Sequence, residues 1–290
     1  MKPLLLLFGI VFLQTILFSS PLPDPWTRSH PPSLGLPGLN EPEVQEVIGE
    51  YYQPNRLPWI ARVYTQSMAL RTHIMDRLSF YQVPPELFFI PFIESEFNVI
   101  ARSRSNAMGL WQFVDNSMAP WMVKNEFKDE RLSFYQSTEA GILKLIDNYR
   151  VLGDWLLAAA AYNAGLGTLR RAMERTGLRD FWSLSRAGEL PIETQRYIPK
   201  LLATAAVAQQ LGRLGKVPQW VEPIHWTQIM VPGGTSLASI AQGTSTSTAL
   251  LVFANRHLLQ GTTPPNELFY PVTVPIPWAR TMESYINFGH

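Results

Sequence analysis

Between residues 44 and 214 the apolar positions return at three- and four-residue steps, the period of helices that bury one face. Ile60, Val63, Tyr64, Met68 and residues 70–74 form one such face. Pro84-Pro85 predicts the start of a helix that runs on to Glu94, because proline suits a first turn; Pro91 inside it predicts a kink. Ser137, with Glu139 in the first turn, predicts the next helix, its face made by Ile142, Leu145, Ile146, Tyr149 and Leu152. Asp154 is the expected N-cap of a helix through the alanines 158–161 that ends at Gly165. Four successive alanines let neighbouring helices come close, which places this segment at the centre of the domain. A last helix is expected over 191–211. Beyond residue 217 the chain turns to Thr, Ser, Pro and β-branched residues: strands at 226–231 and 269–274 flank two short helices at 236–241 and 248–255.

The N-terminus has a different pattern. Lys2 precedes the apolar run 4–13, and Gln14-Thr15 interrupts it before a second short patch. This is signal-peptide anatomy, shorter than the roughly 20 residues a spanning helix needs. Ser19-Ser20 offers a cleavage region, although Pro21 leaves the exact position open, and an uncleaved anchor stays open too. Residues 21–42 hold seven prolines and read as an extended tether. The expected organisation is a signal peptide at 1–20, a proline-rich linker at 21–43, a helical domain at 44–215, and a small α+β module with a tail at 216–290. The protein is then exported, to the periplasm or cell envelope, and touches membrane only through its first segment if that is not removed.

Composition narrows the function classes. Apolar and charged fractions of 46% and 16% describe an ordinary globular protein. Of 24 basic and 23 acidic residues only Lys2 falls in the first twenty positions, so the rest is balanced and carries no field for nucleic acid. No cysteine is present, which excludes disulfides and a lipid carried on an N-terminal Cys. Five scattered histidines show no ligand spacing, so no metal or other cofactor is expected.

The candidate chemistry sits in Phe88-Phe89-Ile90-Pro91-Phe92-Ile93-Glu94. A carboxyl behind such an apolar run loses the hydration that favours its charged form, so its pKa rises and it can donate a proton near neutrality. On this stretch alone a glutamate that turns outward to water is the commoner outcome.

The segments downstream of Glu94 shift the balance. Glu94-Ser95-Glu96 is succeeded by Ala101-Arg102-Ser103, then Met108-Gly109-Leu110-Trp111-Gln112-Phe113, Ala160-Ala161-Tyr162-Asn163-Ala164-Gly165 and Glu193-Thr194-Gln195-Arg196-Tyr197. This series resembles the lytic transglycosylase family, in the branch of membrane-bound lytic murein transglycosylase D. Four landmarks stand in order over roughly residues 80–210: the Glu-Ser pair, the Gly-Leu-x-Gln turn, the Ala-Tyr-Asn helix and the later tyrosine. The resemblance implies a mainly α, lysozyme-like helical domain, and peptidoglycan glycan strands as the partner. It also implies cleavage of the β-1,4 bond between N-acetylmuramic acid and N-acetylglucosamine with a 1,6-anhydromuramyl end.

Ordinary glycosidases need two carboxylates around the bond, and here one convincing candidate exists. Glu96, two positions on, should point away from Glu94; Asp115, beyond the Gln112 turn, stays open as a partner although it falls on no landmark. A lone Glu94 fits a reaction in which it first protonates the leaving oxygen and then, as carboxylate, takes the proton of the muramyl C6 hydroxyl, the acetamido group steadying the cationic centre.

By the resemblance Ser103 bonds the substrate's N-acetyl group, and Gln112 and Asn163 line the cleft. Ser95, Gly109 and Leu110 join the substrate-binding set, Gly109 by letting backbone and sugar approach. Tyr162 and Tyr197 offer a ring to a sugar face and a hydroxyl to Glu94. Taken singly, a tyrosine is more often core and a glycine more often a turn. Trp111 is expected in the core, and Asn106, where the family commonly has glycine, is expected to keep a left-handed turn. Residues 231–241, with Leu250 and Asn255, resemble a degenerate LysM repeat in which Gly234 replaces the usual Asp; glycan binding and a folded cap without glycan affinity weigh about equally. Two alternatives to the transglycosylase stay open: a goose-type lysozyme hydrolase, and a glycan-binding protein without turnover.

Overall fold

The computed structural model describes residues 35–214 and 224–288; the expected signal peptide and most of the expected linker lie outside them. The first part is mainly helical. Helices α1 (Pro42–Tyr51), α2 (Leu57–Gln66) and α3 (Met68–Phe80) come first. The apolar positions 60–74 divide between α2 and α3 at the fully buried Ser67, whose hydroxyl donates back to Tyr64 O at 2.6 Å.

The two proline signals resolve differently from the expected single kinked helix. Pro85 opens a separate 3-10 turn, Pro85–Phe89, and Pro91 sits in the first turn of a new six-residue helix, α4 (Ile90–Ser95). Without an N–H, Pro91 starts a helix more cheaply than it interrupts one. Nor does helix continue through to residue 214: from Glu96 to Ser133 the chain holds only two 3-10 turns, Asp115–Ser117 and Glu130–Leu132. Glu96, Phe97, Asn106, Gly109 and Gln112 all have positive φ there, which no right-handed helix accommodates.

Helix α5 (Phe134–Leu152) has its N-cap four residues ahead of the expected one, Ser133 instead of Ser137, accepting from Gln136 N; Ser137 lies fully buried inside it. Helix α6 (Trp155–Ala164) starts at Asp154, whose Oδ1 accepts from Leu157 N at 2.8 Å. Its four alanines are all 0% exposed, and it packs against α5, α7 (Leu166–Thr176) and α9 (Ile192–Arg213), with α8 (Phe181–Arg186) between the last two in sequence. The alanine helix is the axis of this part because methyl side chains let its neighbours, α8 included, reach it.

The second part is built as strand, helix, helix, strand: β1 (Trp226–Pro232), α10 (Leu237–Gly243), α11 (Thr248–Ala254) and β2 (Phe269–Pro275). The strands pair antiparallel, Trp226 opposite Pro275 and Val231 opposite Tyr270. Gly233 is dictated by close approach, since a Cβ there would lie 2.0 Å from Glu267 O. The tail, for which no element is expected from the sequence, is a helix, α12 (Ile276–Phe288), that buries Met282 and packs Trp278 and Ile286 against this second cluster.

The two parts are joined by specific contacts. Lys128, 7% exposed, places Nζ 2.9 Å from Glu267 Oε1 and 3.3 Å from Glu130 Oε1. The Trp226 indole donates to Ala69 O at 2.6 Å, and the Phe134 ring meets both Trp226 and Phe253. Asp129 N donates to His257 O and Leu259 N to Phe127 O, each at 2.9 Å. Among the described residues no helix is long and apolar enough to cross a membrane.

Candidate active site

Glu94 stands in the last turn of α4, behind Phe88, Phe89, Ile90 and Phe92, each at most 1% exposed. The helix ends at once because Glu96 takes the left-handed conformation, φ 52°. Glu94 is half-buried and faces a cleft of about 730 Å³ lined also by Ser95, Glu96, Ser103, Gln112, Phe253 and Arg256.

The Tyr197 hydroxyl, carried by α9, donates to Glu94 Oε1 at 2.7 Å. Burial raises the Glu94 pKa to about 7; the Tyr197 bond opposes this, the Glu193 charge adds to it, and the Lys144 charge opposes it. Tyr197 itself is pushed well above the ordinary tyrosine range, first by burial and then by Glu94, so its hydroxyl stays protonated and donating. A carboxyl that titrates near neutrality can give a proton and take one back within a single turnover.

The turn between residues 98 and 113 forms the cleft floor. Ser95 Oγ donates to Leu110 O at 2.7 Å and so ties α4 to it. Gln112, with φ 50°, donates through Nε2 to Gly109 O at 2.8 Å and to Ala101 O at 3.3 Å. Ser103 Oγ accepts from Ala107 N at 3.0 Å, and Asn106 holds φ 61° with its Oδ1 accepting from Arg102 at 2.8 Å. Gly109 is buried against protein rather than facing the cleft: with φ 78°, a Cβ there would lie 1.8 Å from Arg131 O. The close approach expected between Gly109 and a sugar is therefore made with the Arg131 backbone.

Three more expected site residues serve the frame. Tyr162 is 7% exposed and its hydroxyl donates to Trp111 O at 2.7 Å, not to Glu94. Asn163 lies outside the cleft lining and links α6 to α9, accepting from Thr194 Oγ1 at 2.8 Å and donating to Glu193 Oε1 at 3.4 Å. Leu110, fully buried, contributes its carbonyl. Trp111 is fully buried, its indole donating to Thr138 Oγ1 at 3.0 Å.

The other carboxylates near the site are engaged elsewhere. Glu96 accepts from Trp59 Nε1 at 3.1 Å and pairs with Arg62 Nη2 at 2.9 Å. Asp115 lies outside the cleft lining, bound to Lys124 and Arg131; the Lys124 bond holds its carboxyl below the usual range. Among the described residues no cluster of three or more His, Asp or Glu could hold a metal.

Sequence reasoning missed Lys144. On α5 its Nζ lies 4.6 Å from the Tyr162 ring centroid and 5.3 Å from that of Phe113, and burial lowers its pKa while Glu94 opposes the fall. The signal was legible: a lysine inside the apolar run Ile142-Leu143-Lys144-Leu145-Ile146 is the same kind of anomaly as Glu94. Glu193 belonged to a quoted motif without a role, and Phe253 and Arg256, some 160 positions from Glu94, left no local signal.

Residues 73–185 match the family model of the transglycosylase SLT domain. Over 166 residues the chain is 32% identical to membrane-bound lytic murein transglycosylase D of Escherichia coli, an alignment covering 55% of this chain and 36% of that protein. The chain thus spans about a third of that curated relative. Among solved structures, an inactive variant of lytic transglycosylase Slt from Pseudomonas aeruginosa is similar with a TM-score of 0.44 at 21% identity, over 61% of this chain and 31% of that one. The 70 kDa soluble lytic transglycosylase of Escherichia coli is similar with a TM-score of 0.40 at 22% identity, over 51% of this chain and 25% of that one.

Proposed function

We propose that this chain, whose residues 73–185 match the transglycosylase SLT domain, is a peptidoglycan lytic transglycosylase that uses Glu94 as acid and then base. The observation that carries the proposal is the half-buried Glu94 with a pKa of about 7, in a cleft where the other lining carboxylate, Glu96, is paired with Arg62. Protonated Glu94 gives its proton to the leaving O4 as the bond to C1 of the muramyl residue breaks. Its carboxylate then removes the proton of the C6 hydroxyl, whose oxygen closes on C1. The proton returns to Glu94, no water is consumed, and the product is a 1,6-anhydro end.

Ser103 and Gln112, both on the cleft lining, are the groups assigned to meet the substrate in this reading. Ser95, Gly109, Leu110, Tyr162 and Asn163 support this role indirectly, by holding the floor and α9 in register. Tyr197 keeps Glu94 aimed. The strand, two helices and strand of the second part support its reading as a LysM-like module, and the apolar run at 4–13 supports export to the envelope.

Mass spectrometry of digested peptidoglycan tests the proposal. Anhydro ends are expected; reducing ends would instead assign a goose-type hydrolase, and an unaltered digest a binding protein without turnover.

The rate should fall as pH rises through about 7, because the reaction begins from protonated Glu94. Tyr197→Phe removes the bond that favours the carboxylate, and Lys144→Met removes a favourable charge. Each is expected to move the alkaline limb of the kcat/KM profile to higher pH, Tyr197→Phe by more. A limb that stays in place in both variants would assign it to a group other than Glu94.

A further inference from the structure

Two residues of the cleft come from the C-terminal part: Phe253, at the end of α11, and Arg256, just after it. Their backbone is rigidly set. Asn255, 1% exposed, donates to Leu251 O and Thr273 O and accepts from Thr273 N, all within 2.9 Å. His257, fully buried, gives its carbonyl to Asp129 N of the helical part. Between these two buried neighbours the Arg256 side chain is exposed and, among the described residues, makes no hydrogen bond or ion pair. The other two guanidinium groups on the cleft are occupied, Arg62 by Glu96 and Arg102 by Asn106. Phe253 packs on Phe134, ring centroids 6.3 Å apart, and shows its remaining surface to the cleft.

We propose that Arg256 binds a carboxylate carried by the glycan strand, with Phe253 as the apolar surface beside it, so that the C-terminal part is one wall of the Glu94 cleft. This rests on the peptidoglycan reading and deepens it. A guanidinium pairs with a carboxylate through two parallel N–H bonds, a geometry an ammonium does not provide. A free cation on a fixed backbone holds its partner at little ordering cost beyond its own side chain. Within peptidoglycan such a group comes from two sources, the peptide stems, or the lactyl group once a stem has been removed.

The test uses the full chain with Glu94→Gln, with and without Arg256→Gln, and titrates three probes by calorimetry. These are soluble strands bearing stems, strands stripped of stems, and N-acetylglucosamine oligomers, which have no carboxylate. Arg256→Gln is expected to weaken binding of a carboxylated strand about tenfold, the size of one charge-assisted bond, and to leave the oligomers and the melting temperature unchanged. Loss confined to stem-bearing strands assigns the stem carboxylate, and loss confined to stripped strands the lactyl group. Equal affinity of both proteins for all three probes overturns the proposal, as does an equal loss on the oligomers. If wild-type enzyme fails to lyse while the Arg256-dependent difference persists, the lytic reading falls and the carboxylate site stands. If the Glu94→Gln chain binds no probe, both fall.

Discussion

Glu94→Gln is expected to lower the turnover of peptidoglycan by about 10⁴-fold, the upper range for a positioned acid and base, while strand binding is retained. Glutamine keeps the shape and can still accept from Tyr197, but it carries no proton to give and no basic carboxylate to take one back. The same substitution should change stability in a pH-dependent way. The folded pKa of about 7 lies above the ordinary carboxylate value of 4.5, so folding favours the protonated form. That contribution is fully present below pH 4.5 and is lost as pH rises through 7. The variant, which does not ionise, should therefore match wild type at pH 4 and exceed it at pH 8, by up to about 3 kcal/mol. Denaturant unfolding at the two pH values, with lysis rates alongside, measures both effects. Wild-type lysis by this variant would remove Glu94 from the mechanism, and equal stability at pH 8 would remove the burial that explains its pKa.

Gly109→Ala is expected to cost about 3–5 kcal/mol, placing it among the most damaging single changes in the chain. The added methyl would stand 1.8 Å from Arg131 O, at a residue with φ 78°. Arg131 has little room to retreat: it is 3% exposed, pairs with Asp129 and Asp115, and its guanidinium also reaches Asn106 O and Phe113 O. Any shift would pass into the turn that carries Ser103 and Gln112, so molecules that still fold should bind strands poorly. Gly153→Ala is the matched control, with φ 72° and nothing within 4 Å of the new Cβ. It should lose only about 1–2 kcal/mol, the backbone cost alone. Similar melting temperatures for the two variants would show that the Arg131 contact yields more easily than its neighbours suggest.

Local patterns are legible where the cause is local. Asp154 is readable as an N-cap from its place before Trp155, and the two strands from their β-branched runs. The start of α5 falls away from its expected place because Ser133 and Ser137 both offer a capping hydroxyl, and only burial of Ser137 decides between them. Pro91 is ambiguous for a similar reason: proline either breaks a helix or begins one, and the 3-10 turn before it determines which. The open stretch from Glu96 to Ser133 resembles helix in its pattern because its apolar residues, Phe97, Val99, Leu110, Trp111 and Phe113, are as buried as those of a helix face.

At the site, the amino-acid sequence determined Glu94 as the candidate acid: the apolar run contiguous with it marks a carboxyl open to impaired hydration, and the motifs downstream, by their resemblance to a known family, outweigh the commoner glutamate that turns outward to water. It also supplied Tyr197 as a partner, through the resemblance of the Glu193 to Tyr197 segment to a known motif. Which groups surround Glu94 was decided by the tertiary structure. The Tyr162 hydroxyl is turned to Trp111 O, Asn163 to Glu193 and Thr194, and Gly109 to Arg131. Lys144 is brought from α5, and Phe253 and Arg256 from beyond the helical part. The physical reason is range. Hydration and capping are set within a few residues, whereas charge–charge contacts, cleft walls and the space available to a Cβ depend on segments brought together from distant parts of the chain.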